Sequence, residues 1–85
     1  LRNASFDNTA IFAHCNLTNA DLNGLDLSDI KFIQCDLTDT QMIACDLSGC
    51  TMEGAIIQGT NFSRCNIQNI QISAKNNSWK RVKLR

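Results

Sequence analysis

Five cysteines are the first residues of this 85-residue chain that could do chemistry, and Cys15, Cys35, Cys45, Cys50 and Cys65 are all separated by multiples of five. Regularly spaced thiols suggest a disulfide framework, a zinc site, or a nucleophile working with a base. A base is adjacent, because His14, the one histidine, directly precedes Cys15. Carboxylates recur as well: Asp26 and Asp46 stand twenty residues apart, and a pair of carboxylates is the raw material of general acid-base work. Each of these chemistries depends on where the side chains point, which is set by the elements that carry them.

Large apolar residues share the interval of the cysteines, two positions later. From Ala10 to Ala74 the chain divides into consecutive pentads whose centres are Phe12, Leu17, Leu22, Leu27, Phe32, Leu37, Met42, Leu47, Met52, Ile57, Phe62, Ile67 and Ile72. Neither regular element suits a period of five. On an α-helix, residues five apart are rotated by roughly 140°, so the centres would spiral around the surface. On a strand, an odd period sends successive centres to opposite faces. The chain must therefore turn a corner in every pentad.

The other positions locate that corner. Two residues before each centre stand Ala10, Cys15, Ala20, Leu25, Ile30, Cys35, Thr40, Cys45, Cys50, Ala55, Thr60, Cys65 and Ile70, mostly small or apolar. A spacing of two puts them on the same side as the centre of a short extended stretch. The residue between points outward and is mostly polar, as with Asn16, Asp21, Asp26, Asp36, Asp46, Asn61 and Asn66. All four glycines lie two after a centre, joined there by Asn19, Asp29, Asp39 and Asn69, types that tolerate the positive φ of tight turns.

With its pentads CNLTN, ADLNG, CDLTD and CDLSG, the chain resembles the pentapeptide repeat family, and the resemblance covers Ala10 to Ala74. It implies an all-β fold: a right-handed quadrilateral parallel β-helix with four pentads per coil, and about three to four coils in this length. Residues twenty apart would then stack, giving the interior columns Phe12, Phe32, Met52, Ile72; Leu17, Leu37, Ile57; Leu22, Met42, Phe62; and Leu27, Leu47, Ile67. Neighbouring coils would lie ~4.8 Å apart.

The repeat assigns residues 1–74 to the solenoid, with 1–9 as an out-of-phase first coil or cap, and 75–85 to a basic cap, degenerate repeat or linker. Leu1 and Phe6 are five apart but one residue out of phase with Phe12, which makes Thr9 an insertion. Trp79 and Leu84 are five apart after a two-residue slip, with Val82 at the small inward position. A start without Met and an end in mid-pentad predict a fragment of a larger protein. Residues 1–74 carry a net charge of minus five, whereas Lys75, Lys80, Arg81, Lys83 and Arg85 give the tail plus five with no acid. Such a run is first of all a solvated end or the entry to another domain.

The lattice disfavours each chemistry raised at the outset. The thiols occupy positions that Ala and Thr fill elsewhere, so they are expected to be small buried side chains in a reducing compartment. Cys15 over Cys35 and Cys45 over Cys65 would have parallel Cβ vectors one strand spacing apart, wider than the ~3.8 Å of a disulfide. No metal and no cofactor is expected, because thiols at different levels of a narrow core do not converge. No catalytic residue is expected either. His14 points outward where Cys15 points inward, and Asp26 and Asp46 are expected to bond their own turns on a surface without a cleft. Sequons at Asn3, Asn16, Asn61 and Asn76 are read as by-products of the repeat. Among outward apolar residues, Ile11 and Ile33 fall on one side in adjacent coils and are candidate interaction residues, and Asp26 and Asp46 are two further candidates.

These features predict a non-enzymatic protein-binding or spacer module with an unidentified protein partner, with nucleic acid disfavoured. No apolar run reaches the roughly 18 residues of a membrane span, the solenoid ends offer a route to oligomers, and the compartment expected is the bacterial cytoplasm, or a host cytosol for an effector. Two alternatives come from the resemblance. Some family members mimic DNA and bind type II topoisomerases, conferring quinolone tolerance, and Asp21, Asp26, Asp29, Asp36, Asp39, Asp46 and Glu53 supply the acidity that role needs. In others the repeats are an accessory β-helix of bacterial effector ubiquitin ligases.

Overall fold

The computed structural model describes residues 9–74 and 79–84. Its strands are β1 (Ile11–Ala13), β2 (Lys31–Ile33), β3 (Thr51–Glu53) and β4 (Gln71–Ser73). They form one parallel sheet in the order β1-β2-β3-β4. Its register puts Phe12 beside Phe32, Phe32 beside Met52 and Met52 beside Ile72. Each turn of the chain thus takes twenty residues. Parallel bridges repeat the same offset on three further sides, at Asn16↔Asp36, Asp21↔Gln41 and Asp26↔Asp46.

The strands are short because the chain turns so often. His14, Asn19, Asp29, Gln34, Asp39, Ala44, Arg64 and Asn69 all have φ between 51° and 62°, and the four glycines fill the same corner position at 66° to 75°. A left-handed non-glycine residue costs roughly 1–2 kcal/mol. The axial ladder offsets that cost: Leu17 N–H donates to Asp36 C=O at 2.8 Å and Asp36 N–H donates to Cys15 C=O at 2.9 Å, and equivalent pairs recur on every side.

Inside, Leu22, Leu27, Phe32, Leu37, Met42, Leu47, Met52, Ile57 and Phe62 are buried, together with Leu25, Ile30, Cys35, Cys45, Cys50 and Ala55. The Phe12 and Phe32 rings stack at 5.4 Å. Phe12, Leu17 and Ile72 are only partly buried. Ile67 departs from its expected place in the core, being 48% exposed. It tops the column Leu27, Leu47, Ile67, and no described residue stacks over it, so half of its surface meets water.

Residues 79–84 rejoin the ladder after the two-residue slip. Asn61 bridges Lys83, Gly59 N–H donates to Lys80 C=O at 2.9 Å, and Phe62 N–H donates to Lys83 C=O at 2.7 Å. Val82 thereby stands over Thr60 and Leu84 over Phe62. The expectations for Leu1, Phe6, Lys75 and Arg85, and the sequons at Asn3 and Asn76, lie outside the described residues. No described helix is long and apolar enough to cross a membrane.

Candidate functional site

Two rows of side chains make most of the side-chain hydrogen bonds of the repeat, one inside and one outside. The inner row stands two residues before the centres. There Cys35 Sγ donates to Phe12 C=O at 3.0 Å, Cys45 Sγ to Leu22 C=O at 2.9 Å and Cys65 Sγ to Met42 C=O at 2.7 Å. Thr40 and Thr60 do the same with their hydroxyls, to Leu17 C=O at 2.8 Å and Leu37 C=O at 2.7 Å. The acceptor is always the carbonyl of a centre residue 23 positions earlier. Each of these donors therefore ties one coil to the next from within. No buried side-chain nitrogen or oxygen among the described residues lacks a partner.

This packing shifts the acidities of four of the thiols. Burial pushes Cys50 up to about 12, and it raises Cys35 as well. Cys45 is raised first by its hydrogen bond with the stacked Cys65 and then by burial. Cys65 is held below the ordinary thiol range by the Cys45 S–H, which would hydrogen-bond its thiolate. All five cysteines are free thiols.

The outer row folds back onto its own turns. Oδ1 of Asn16, Asp26, Asp36, Asp46 and Asn61 accepts both the N–H and the hydroxyl of the Ser or Thr two residues on. Asp21 and Asn66 accept the N–H alone, from Asn23 and Gln68. The pentad of Gln41, with its longer side chain, is arranged differently. There Asn23 Oδ1, one coil below, accepts from Ile43 N–H at 2.7 Å.

Asp26 and Asp46 are stacked neighbours with Asn66 beyond them, and one oxygen of each carboxylate is engaged by Ser28 or Ser48. Ile11 is 60% exposed and Ile33 half-buried. They share a side but not a rung, since Ile11 lies beside Lys31, and Ile33 beside Ala13 and Glu53. His14 sits exposed on a corner with φ 57°, while Cys15 Sγ, half-buried, lies 3.7 Å from Ala13 C=O. No group of three or more potential metal-ligating side chains converges among the described residues.

Sequence reasoning missed three features. The thiols and hydroxyls of the inner row are donors and not merely small, and the interchange of Cys with Thr at one position was the available signal. Trp79 and Leu84 are more than half exposed at the same end as Ile67. At the neighbouring corner Arg81 reaches down past Gly59 to Asp39, with Nη1 to Oδ1 at 3.6 Å. A shallow groove beside β4, lined by Thr51, Glu53, Ile70, Gln71, Ile72 and Ser73, completes this end of the solenoid.

A family profile described as "Pentapeptide repeat region" matches residues 4–84. Among solved structures, a pentapeptide repeat protein from the Arabidopsis thaliana thylakoid lumen is similar at 17% identity with a TM-score of 0.39. The match covers 88% of this chain but 61% of that one. No curated protein matches. With a five-residue lattice and a profile match that spans nearly its whole length, the chain belongs to the pentapeptide repeat family.

Proposed function

We propose that this chain is a non-enzymatic solenoid module that offers a flat outer side to a protein partner or holds flanking parts at a fixed separation. One observation carries the reading: the aspartates and asparagines of the outer row cap their own turns, so the sides act as surfaces and not as reactive sites. The free thiols, three of them buried, suit a reducing compartment such as the cytoplasm.

The test is a benzophenone photocrosslinker placed in turn at Ile33, Gln58, Ile43 and Gln68, one position for each side. In an extract of the producing cells, a partner that reads one side yields crosslinks from that position alone. Equal yields from all four would defeat the binding reading. A second reading, DNA mimicry of the kind that engages type II topoisomerases, draws support from the stacked Asp26 and Asp46 and from Asp29, Asp36 and Asp39 in the same two coils. Purified chain that neither inhibits gyrase supercoiling nor relieves quinolone inhibition would remove it.

A further inference from the structure

Four of the thiols stand in two stacks, and the ladder sets the spacing within each stack. Asp46 bridges Asn66 and Asn16 bridges Asp36, so Cys45 and Cys65 occupy equivalent places in adjacent coils, as do Cys15 and Cys35. Their side chains are oriented alike. Cys45 Sγ donates to Leu22 C=O and Cys65 Sγ to Met42 C=O, the same acceptor one coil on. Cys15 Sγ lies 3.7 Å from Ala13 C=O and Cys35 Sγ 3.6 Å from Ile33 C=O, again the same contact one coil on. Sulfurs related in this way are separated by one step of the coil, ~4.8 Å.

That separation suits one kind of bond and not another. A disulfide needs its sulfurs roughly 2.05 Å apart, so each pair would have to close by more than half the coil spacing. Four-coordinate zinc needs ligands that converge from several directions, which thiols at successive levels do not supply. A linear ion needs only two sulfurs, on opposite sides of it. With metal–sulfur bonds of roughly 2.3 Å, as in zinc thiolates, a straight sulfur–metal–sulfur unit spans roughly 4.6 Å. Thiolates select copper(I), an ion that a reducing compartment keeps reduced as it keeps the thiols free.

We infer that each stacked pair, Cys45 with Cys65 and Cys15 with Cys35, is a linear two-sulfur site for a soft monovalent cation, copper(I). The ion lies on the line between the sulfurs, parallel to the solenoid axis. Binding is an acid-base step: two S–H bonds break, two copper–sulfur bonds form, two protons go to solvent and no electron moves. The unit keeps one net negative charge. Backbone N–H groups of the coil below face that charge, those of Leu25 and Gly24 at Cys45 and those of Cys45 and Ala44 at Cys65. Cys50 takes no part, since its neighbours in the stack are Ile30 and Ile70. The inference goes beyond the scaffold reading, which concerns the outer sides, and gives the core thiols a ligand.

Anaerobic titration of the reduced whole chain with copper(I), in competition with a chromogenic copper(I) chelator, tests it. Two equivalents should pass from the chelator to the protein, each releasing two protons, and X-ray absorption should show two sulfur neighbours per copper. Cys65→Thr and Cys35→Thr should each lose one equivalent, and Cys50→Ala none. The threonine variants keep the tie between coils, because Thr40 and Thr60 donate the equivalent bond from the same position. Copper(I) should also raise the melting temperature of the natural chain, and the double variant Cys35→Thr, Cys65→Thr should show no such rise. Fewer than two equivalents, three or more sulfurs around each copper, or copper lost with Cys50 would overturn the inference. So would a melting temperature lowered by copper(I), the mark of an ion that prefers the thiols of the unfolded chain.

Discussion

Gly59 sits beneath an ion pair, and replacing it by alanine separates two costs that usually occur together. Its φ is 71°, and a Cβ built on it would run into the Asp39 carboxylate and lie 3.6 Å from Arg81 Nη1. Gly24 is the natural control, with φ 75° and nothing within 4 Å of the equivalent Cβ. Gly24→Ala should therefore lose only the left-handed penalty, roughly 1–2 kcal/mol. Gly59→Ala should lose that and more. The Asp39 side chain must turn away, which costs about 0.5–1.5 kcal/mol if it leaves its rotamer well, and the exposed pair with Arg81, worth at most about 1 kcal/mol in solvent, is broken. Because the carboxylate is the free end of a short side chain, the extra loss should be about 1 kcal/mol. Urea denaturation of both variants measures it. In an Asp39→Gly background the obstacle is gone, and Gly59→Ala should then cost no more than Gly24→Ala. Equal losses for the two alanines in the natural background would refute the argument.

Three further outcomes are expected. Leu37→Asp places a charge in a fully buried column and should abolish the cooperative melt, a loss above about 4 kcal/mol, whereas Thr38→Asp should cost under about 1 kcal/mol, because it exchanges a hydroxyl donated to Asp36 for a second carboxylate. Comparable losses from the two would mean the inward register is misassigned. The Cys50 thiol, raised to about 12 when folded, stays protonated after its unfolded counterpart has ionised, so its contribution is complete below about pH 8.5 and is lost as pH rises toward 12. Stability should fall by up to about 1.4 kcal/mol per pH unit on that account, and Cys50→Ala should flatten this part of the urea midpoint profile. Under native conditions an alkylating reagent should modify the half-buried Cys65 and Cys15 first and spare Cys35, Cys45 and Cys50 until the chain unfolds. Mass spectrometry showing early modification of Cys50 would contradict its burial.

What was legible in the sequence follows from what is local. A five-residue period with an apolar centre forces a corner per pentad. The polar residue before each centre, with Ser or Thr two later, announces the capped turn now seen at Asp26, Asp36 and Asp46. The twenty-residue register came from the family resemblance, and the sheet pairs Phe12 with Phe32 accordingly. The contacts left unread connect residues far apart in the chain. Cys45 finds its acceptor at Leu22, 23 residues away, and nothing local distinguishes a donating thiol from a merely small one. Ile67 fits the pattern of a core residue perfectly well. Its exposure depends on what lies above it, which a repeat cannot encode for its own last members.

The ladder that joins the coils also gives the molecule a mechanical character. Its bonds, such as Leu37 N–H to Ile56 C=O at 2.8 Å, run between coils and so lie along the axis, as do the thiol and hydroxyl ties inside. Tension applied at the two termini acts on the outermost rungs first and opens them one after another, so resistance is low and independent of the number of coils. Each freed coil releases twenty residues, about 70 Å of extended chain. A partner gripping one side loads many rungs in shear at once. The same protein is then yielding to a pull along its length and stiff to one across it, a difference that matters wherever it is tethered at its ends.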